Sequence, residues 1–508
     1  MPAELVLAGL ATADLVIKYG KILIELYSSF KGANAEIRER IIAVEASWNR
    51  TRLRINIIER IRDTLDERHR RVQDDILQIL FTKLLAANQQ ASRVVREGSA
   101  KKDGKEARKW KYPLVKESID KAIKELDNWQ KMYDPSWFLI LRMATPVIDE
   151  ALDNDLDSTT ERSNPIATAR NMREAMLAFP QSVSSIFLDQ ASLDRAHRKN
   201  IPYSSAELAF RPLTHHSYFI IDSIPSRQGI LPELLTRDVR ELARRLSAAD
   251  PWTFGLLPCY GVVKVYDQDT ENCHGVRLSP ASFDFVFSVP PELKSPRSLR
   301  DILLRPDQTI SLSVRFRIAC LRPEAILVFG DKERAFAATF LLGFEKFQLA
   351  FGGHSLQAGD CAWERNLYRH PQRQGLHPED YYSMQHDIYA LGVCLLEIGF
   401  WKSFVVYDEE RARPLPSDLL PTGLIIKDSD DDNGNATLLK GALVDLATAK
   451  LPSRMGDKYT AVAVNCLTCL DADNPDFGDK SEFEDEDGIA IGVRYIEKVL
   501  LQLNNISI

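Results

Sequence analysis

The sequence predicts a multidomain protein, an N-terminal all-α helical bundle followed by an α+β domain of two lobes. Apolar residues recur at helical spacing through the first 150 residues, with no strand alternation among them. Short strand-like runs begin near residue 201 and give way, from about 296, to mainly helical periods. At 508 residues the chain is also too long for one hydrophobic core, so two or three domains are expected.

The bundle is expected over residues 1–150. Ile37, Ile41, Val44 and Trp48 are spaced four, three and four apart, which puts them on one helix face. Ile58, Ile61 and Leu65 extend that stripe through a long charged helix. A third pattern runs through Ile76, Ile79, Leu80, Lys83 and Leu84 toward Val94 and Val95. A fourth uses Ile119, Ala122, Ile123, Leu126, Trp129 and Tyr133. Asp134-Pro135 then signals another helix start, with Asp as N-cap and Pro in the first turn. Segment 4–30 differs, because Leu5, Leu10, Ile17 and Ile24 help spread its apolar residues over more than one face. It suits a central bundle helix with neighbours on several sides, or a helix able to leave the bundle for lipid. Its length would cross about 30 Å of hydrocarbon, with Glu4, Asp14 and Glu25 opposing insertion.

Residues 151–200 read as a connector: polar over LDNDLDSTTERSNP, helical in period over IATARNMREAMLAF, broken at RAHRKNIPYSS. SYFIID, GLLPCYGVVKVYD, GVRL and FDFVFSV are strand-like runs of a first lobe over 201–295. The helix-period segment LPELLTRDVRELARRLSAAD is inserted among them. A second, mainly helical lobe is expected over 296–508.

Composition narrows the class. No run of about 18 uninterrupted apolar residues suggests a constitutive membrane span, and the N-terminus begins with Glu4 rather than a basic region, against a secretory signal. Seven scattered cysteines suit a reduced compartment, hence the cytoplasm. Cys466 and Cys469 form a lone CxxC in an apolar run with no second pair nearby, which favours buried helix residues over metal or redox chemistry. Residues 1–150 carry 27 Lys/Arg against 22 Asp/Glu, and the remainder 38 against 50. The positive charge concentrates at 93–116, while DSDDD at 428–432 and EFEDEDG at 482–488 are acidic. The halves would attract each other, or the basic one would seek an anionic membrane or nucleic acid. A solvated loop between helices explains the basic run equally well.

The second half resembles the eukaryotic protein-kinase fold over about 300 residues. LYRHPQRQ at 367–374, with Tyr368, Arg369 and Pro371, looks like the Y-R-A-P-E segment that closes a kinase activation region. MQHDIYALGVCLLEIGFW at 384–401, with Asp387 and Gly392, looks like the D-V-W-S-F-G-V helix that follows it. Asp387 would brace the catalytic loop, or serve simply as a helix N-cap. LRPEAILVF at 321–329 is similar to the catalytic-loop stretch L-K-P-E-N-I-L, and FLLGFEKF at 340–347 to the strand leading into D-F-G. The hinge would lie near Phe287–Pro290.

With those anchors the resemblance implies that the chemistry is missing. Kinases need a catalytic-loop Asp, an Asn and a D-F-G Asp on magnesium, a strand lysine on the phosphates and a glycine-rich cover. Here the base position falls on Cys320, the Asn position on Ala325, and D-F-G on Gly343-Phe344-Glu345. Asp222 stands at or near the lysine position, AFRPLTHH before it has no glycine, and the Glu of Y-R-A-P-E is Gln372. Each loss removes several kcal/mol of transition-state stabilisation. The expectation is a pseudokinase without phosphoryl transfer, nucleotide, metal or other cofactor.

A helical bundle, a helical connector and a degenerate kinase domain resemble, in that order, the mixed-lineage kinase domain-like proteins of necroptosis. They are closer still to filamentous-fungal counterparts with a HeLo-like domain. KYGKILIELYSSFKGANAEIRERI and WQKMYDPSWFLILRM carry the bundle part of the resemblance. It implies a bundle that self-associates and breaches membranes, held until a signal reaches the pseudokinase. Lys101, Lys102, Lys105, Arg108, Lys109 and Lys111 would contact anionic lipid, the apolar face of 4–30 would insert, and 151–200 would act as a brace. An upstream kinase or immune receptor is the implied partner, nucleic acid is not, and recruitment is from cytoplasm to membrane. No amyloid-forming tail follows residue 490, so the kinase-like domain is the implied receiver. The alternative is a non-lytic adaptor, with the bundle as docking module and the pseudokinase as scaffold.

Overall fold

The computed structural model describes most of the chain. Outside the description lie 1–12, 31–34, 100–114, 154–168, 172, 174–185, 190–195, 211–217, 227–231, 252–254, 267–279, 292, 294, 306–311, 313–314, 316–325, 330–337, 343–361, 376–381, 409–412, 422, 424–431, 484–488, 505, 507–508 and several positions between 127 and 145. The chain divides into two compact units, Met1–Glu174 and Ala175–Ile508. The named elements of the first are all helices, and the second combines a mixed sheet with helices.

The first unit contains α1 (Ala13–Ser28), α2 (Ala35–Ile61), α3 (Glu67–Ser99), α4 (115–126) and α5 (Pro146–Asp153). The periodic stripes are its core: Ile37, Ile41, Val44 and Trp48 on α2, Ile76 and Leu80 on α3, and Ile119, Ala122 and Leu126 on α4 are all buried. Each large aliphatic side chain so buried stabilises by about 1.5–3 kcal/mol. Polar ties lock the stripes together. Tyr27 donates to Ser118 O at 3.0 Å, and the Trp129 indole donates to Ile76 O at 3.1 Å. Lys83, inside the third stripe, is half-buried and pairs with Glu125 across α3 and α4. The α2 stripe is interrupted, because the helix stops at Ile61 and a 3-10 turn over Arg62–Thr64 delivers Leu65 to the core.

The described part of segment 4–30 buries one stripe, Ala13, Val16, Gly20, Leu23 and Tyr27, while Ile17 and Ile24 flank it half-buried. Gly20 is required by a close approach. A Cβ there would lie 2.0 Å from Cζ2 of Trp48, so the indole rests on the α1 backbone. Leu5, Leu10, Lys101, Lys102, Lys105, Arg108, Lys109 and Lys111 lie outside the described residues, as does Asp134-Pro135.

The second unit opens with a six-stranded sheet: β1 (Phe187–Leu188), β2 (His197–Asn200), β3 (Glu207–Phe210), β4 (Tyr218–Pro225), β5 (Cys259–Val265) and β6 (Ser282–Ser288), in the order β1-β5-β6-β4-β3-β2. All pairings are antiparallel except β1 with β5. Helix α6 (Pro232–Ser247) packs Leu235, Val239, Ala243 and Leu246 on the face built from Ile220, Ile224, Val262, Phe283, Phe285 and Phe287. Ala209, Ile221, Val263 and Val286 form the opposite face. The expected strands and inserted helix are present, except GVRL, which lies outside the described residues. The expected connector is corrected at its end, since 187–188 and 197–200 already belong to the sheet and strand structure begins before 201. A two-residue strand and the wholly exposed HRKN have no alternation to read.

Beyond the sheet, β7 (Arg297–Ser298) pairs with β8 (Ile326–Phe329), which pairs with β9 (Ala338–Leu341). Short helices α7 (Leu299–Leu303) and α8 (Trp363–Asn366) lead to α9 (Met384–Phe400) and the hairpin β10–β11 (Val405–Tyr407, Pro414–Pro416). Helices α10 (Asp432–Lys450), α11 (Pro452–Met455), α12 (Asp457–Leu467), α13 (Ile489–Tyr495) and α14 (Leu501–Asn504) complete the unit, the last two joined by a π turn over Ile496–Leu500. Cys466 and Cys469 are buried at the end of α12, where Cys469 donates to Gln385 O at 3.1 Å and burial raises both thiol pKa values.

Candidate functional site

The candidate site is built around Asp222, whose carboxylate the alternation of β4 places on the α6 side of the sheet with Ile220 and Ile224. It is 2% exposed and stands opposite Phe285 in the ladder. Ser205 donates its hydroxyl to Asp222 Oδ1 at 3.1 Å, from the turn 201–206 that joins β2 to β3. That turn contains no glycine, and its Tyr203 adopts φ 57 in the left-handed region, where a side chain is disfavoured. The turn is held from three sides. Ile201 N–H donates to Ala206 O at 3.0 Å, Ser298 Oγ donates to Pro202 O at 2.6 Å, and the Tyr203 ring lies 4.7 Å from that of Tyr407.

From Tyr407 a buried polar network runs into the helical half of the unit. Arg300 on α7 donates to the Tyr407 and Tyr368 hydroxyls, both at 3.2 Å. Tyr368 donates to Glu397 Oε1 at 2.8 Å, and the same oxygen accepts from Ser403 Oγ at 3.1 Å and Phe404 N–H at 2.7 Å. Glu397 is 4% exposed. Burial raises its pKa, opposed by Arg300 and the Phe404 amide. Burial likewise raises the Tyr368 phenol, reinforced by the Glu397 carboxylate. The network positions segments and presents no free nucleophile.

The structure brings the two kinase-resembling segments together. Tyr368 meets Glu397 of α9, and the His370 ring packs edge-on against Tyr389 at 5.1 Å. Pro371, itself buried, opens a 3-10 turn, and Arg369 donates to Asn366 Oδ1 at 3.3 Å. A Cβ at Gly392 would lie 2.9 Å from the Leu467 amide nitrogen, so this glycine lets α9 and α12 touch. Asp387 sits in the first turn of α9, half-buried, and accepts from the Tyr382 hydroxyl; Ser383, not Asp387, caps the helix. Cys320, Ala325, Gly343 and Glu345 lie outside the described residues.

Sequence reasoning missed Arg300, Glu397 and Tyr407, and also Asp284 on the opposite sheet face, which accepts from Ser223 at 2.6 Å and Arg198 at 3.1 Å. The available signal was a lone acid in an apolar run: Glu397 in CLLEIGF and Asp284 in SFDFVFS. Among the described residues no group of His, Cys, Asp or Glu is placed to hold a metal, and no helix is long and apolar enough to cross a membrane. Neither a scan against protein-family models nor a search of curated proteins returns a match for this chain.

Proposed function

We propose that this chain is a catalytically inactive, protein-kinase-like regulator whose second unit governs a membrane-active helical bundle, in fungal regulated cell death. The observation that carries this reading is Asp222. Where a phosphotransferase needs a strand cation on the phosphates, this strand has a buried carboxylate tied to Ser205, which would repel a triphosphate. The order of elements supports the kinase-like assignment: antiparallel strands, helix α6 after the Asp222 strand, then β5 and β6, then a mainly helical region. β8 begins directly after Ala325 and β9 ends two residues before Gly343, as the resemblance requires of the strands beside those positions. Of AFRPLTHH, Ala209 and Phe210 close β3 and the rest lies outside the described residues; the neighbouring turn 201–206 also lacks glycine.

A second reading, the non-lytic adaptor, is favoured by α1, whose apolar stripe is packed against Trp48 and tied through Tyr27 to Ser118. Dye release from anionic vesicles separates the two. The membrane reading expects the chain truncated after Glu174 to release dye, and release to fall at least tenfold when Lys101, Lys102, Lys105, Arg108, Lys109 and Lys111 are changed to Gln, as loss of roughly 1 kcal/mol of lipid attraction per residue requires. Intact vesicles with both proteins favour the adaptor.

A further inference from the structure

Strand β5 would be the open edge of the sheet but for two residues of the chain's own. Phe187 and Leu188 run parallel to it opposite Val262 and Val263, and the Val262 amide donates to Ile186 O at 3.0 Å. Two paired residues make a weak ladder beside the seven of β4–β6, so side-chain seats must do most of the holding. Those seats are present. The Leu188 side chain fills the space over Gly261, where any Cβ would lie 2.6 Å from Leu188 Cγ. The Phe187 ring lies under two cations, with Lys264 Nζ 4.3 Å and Arg240 Cζ 5.4 Å from its centroid. Neither cation makes a salt bridge among the described residues. Partial burial, with Arg240 nearby, lowers the Lys264 pKa, and the electron-rich ring face is the attractive partner that both cations meet. Ile186 and Phe187 also pack on the core shared with α6, and Leu188 on the opposite face.

We propose that the β5 edge is a strand-accepting peptide site, read through the Gly261 seat and the Arg240–Lys264 aromatic clamp, with Ile186–Asp189 as its resident and exchangeable occupant. Its ligand is an extended aliphatic–aromatic–aliphatic segment bound by backbone hydrogen bonds, the chemistry of β-augmentation. Short ladders open at lower free energy than the sheet centre, which makes the occupant exchangeable while β4–β6 stays intact. This inference is independent of the kinase-like reading and survives its failure.

The test uses the full chain with Leu188→Asp, which unseats the strap, and Gly261→Val, which fills the seat. Hydrogen exchange at the Val262 amide should accelerate at least tenfold in both variants, while the β4–β6 amides keep wild-type protection and report an intact fold. A fluorescent peptide of residues 183–192 should then bind the Leu188→Asp chain saturably, and the Gly261→Val chain at least tenfold more weakly. Unchanged Val262 protection in Leu188→Asp overturns the proposal. So does equal peptide binding by the two variants, or no binding to Leu188→Asp up to about 1 mM, the effective concentration that a tethered segment commonly reaches.

Discussion

Helices α1 and α9 have similar lengths and opposite surroundings. Of the 16 residues of α1, five are buried and lie on one stripe, whereas 15 of the 17 in α9 are buried. A one-stripe helix keeps a polar face and can exchange neighbours, while a helix apolar all round is fixed by its unit. In the first unit α1 keeps Asp14, Lys18, Lys21 and Glu25 exposed, while Trp48 and the Tyr27–Ser118 tie hold its single apolar stripe. In the second, α9 is an inert axle around which Tyr368, Ser403 and Phe404 are pinned through Glu397.

The largest expected effect tests the axle. Glu397→Ala leaves Tyr368, Ser403 and the Phe404 amide without their acceptor beside the half-buried Arg300, and should cost about 3–5 kcal/mol. Calorimetry should place that loss in the second unit's transition, and Glu397→Gln should recover part of it. Next, Gly20→Val drives a side chain into the Trp48 indole, and overpacking of this kind costs about 1–3 kcal/mol. The loss should appear in the first unit's transition alone; destabilisation of both would remove the contrast between the units.

A smaller, pH-dependent effect separates the units further. His69 of α3 is fully buried, and its ring nitrogens have no hydrogen-bond partner among the described residues. Burial lowers its pKa from the ordinary 6.5, with Asp66 opposing. The unfolded chain therefore takes up a proton near pH 6.5 that the folded chain refuses, so the first unit loses stability as pH falls through that value. His69→Gln should flatten this dependence in thermal melts between pH 5 and pH 8. Glu397 works in the opposite sense. Its folded pKa lies above 4.5, so its contribution favours the fold below that pH and is lost as pH rises through the folded value. Smallest of all, Arg71→Ala should leave both transitions in place, because the Arg71–Glu67 pair is 74% exposed on each side.

The same contrast explains how much could be read beforehand. Stripes such as Ile37–Ile41–Val44–Trp48 are legible because burial on one helix face imposes a period, as in α6, whereas β4–β6 are legible as short apolar runs buried on both sheet faces. Strands β1 and β2 are not, since Phe187-Leu188 is too short for a period and His197–Asn200 has both faces exposed. The buried network was half legible. A lone glutamate in the apolar run of α9 marks a carboxylate that must find partners, but Arg300 and Tyr407 lie where only the fold brings them near. Asp222 could be placed on its strand from sequence, whereas its tie to Ser205 depends on the path of the turn 201–206.

If Asp222 stands where a phosphotransferase carries its phosphate-binding lysine, as proposed, the cleft beside it does not grip a metal–triphosphate, and calorimetric titration of magnesium-ATP into the full chain tests this. No saturable heat is expected up to millimolar nucleotide, with the same baseline for Asp222→Asn. Saturable binding at micromolar nucleotide, with transfer of the terminal phosphate, would contradict it and leave an ordinary phosphotransferase in its place.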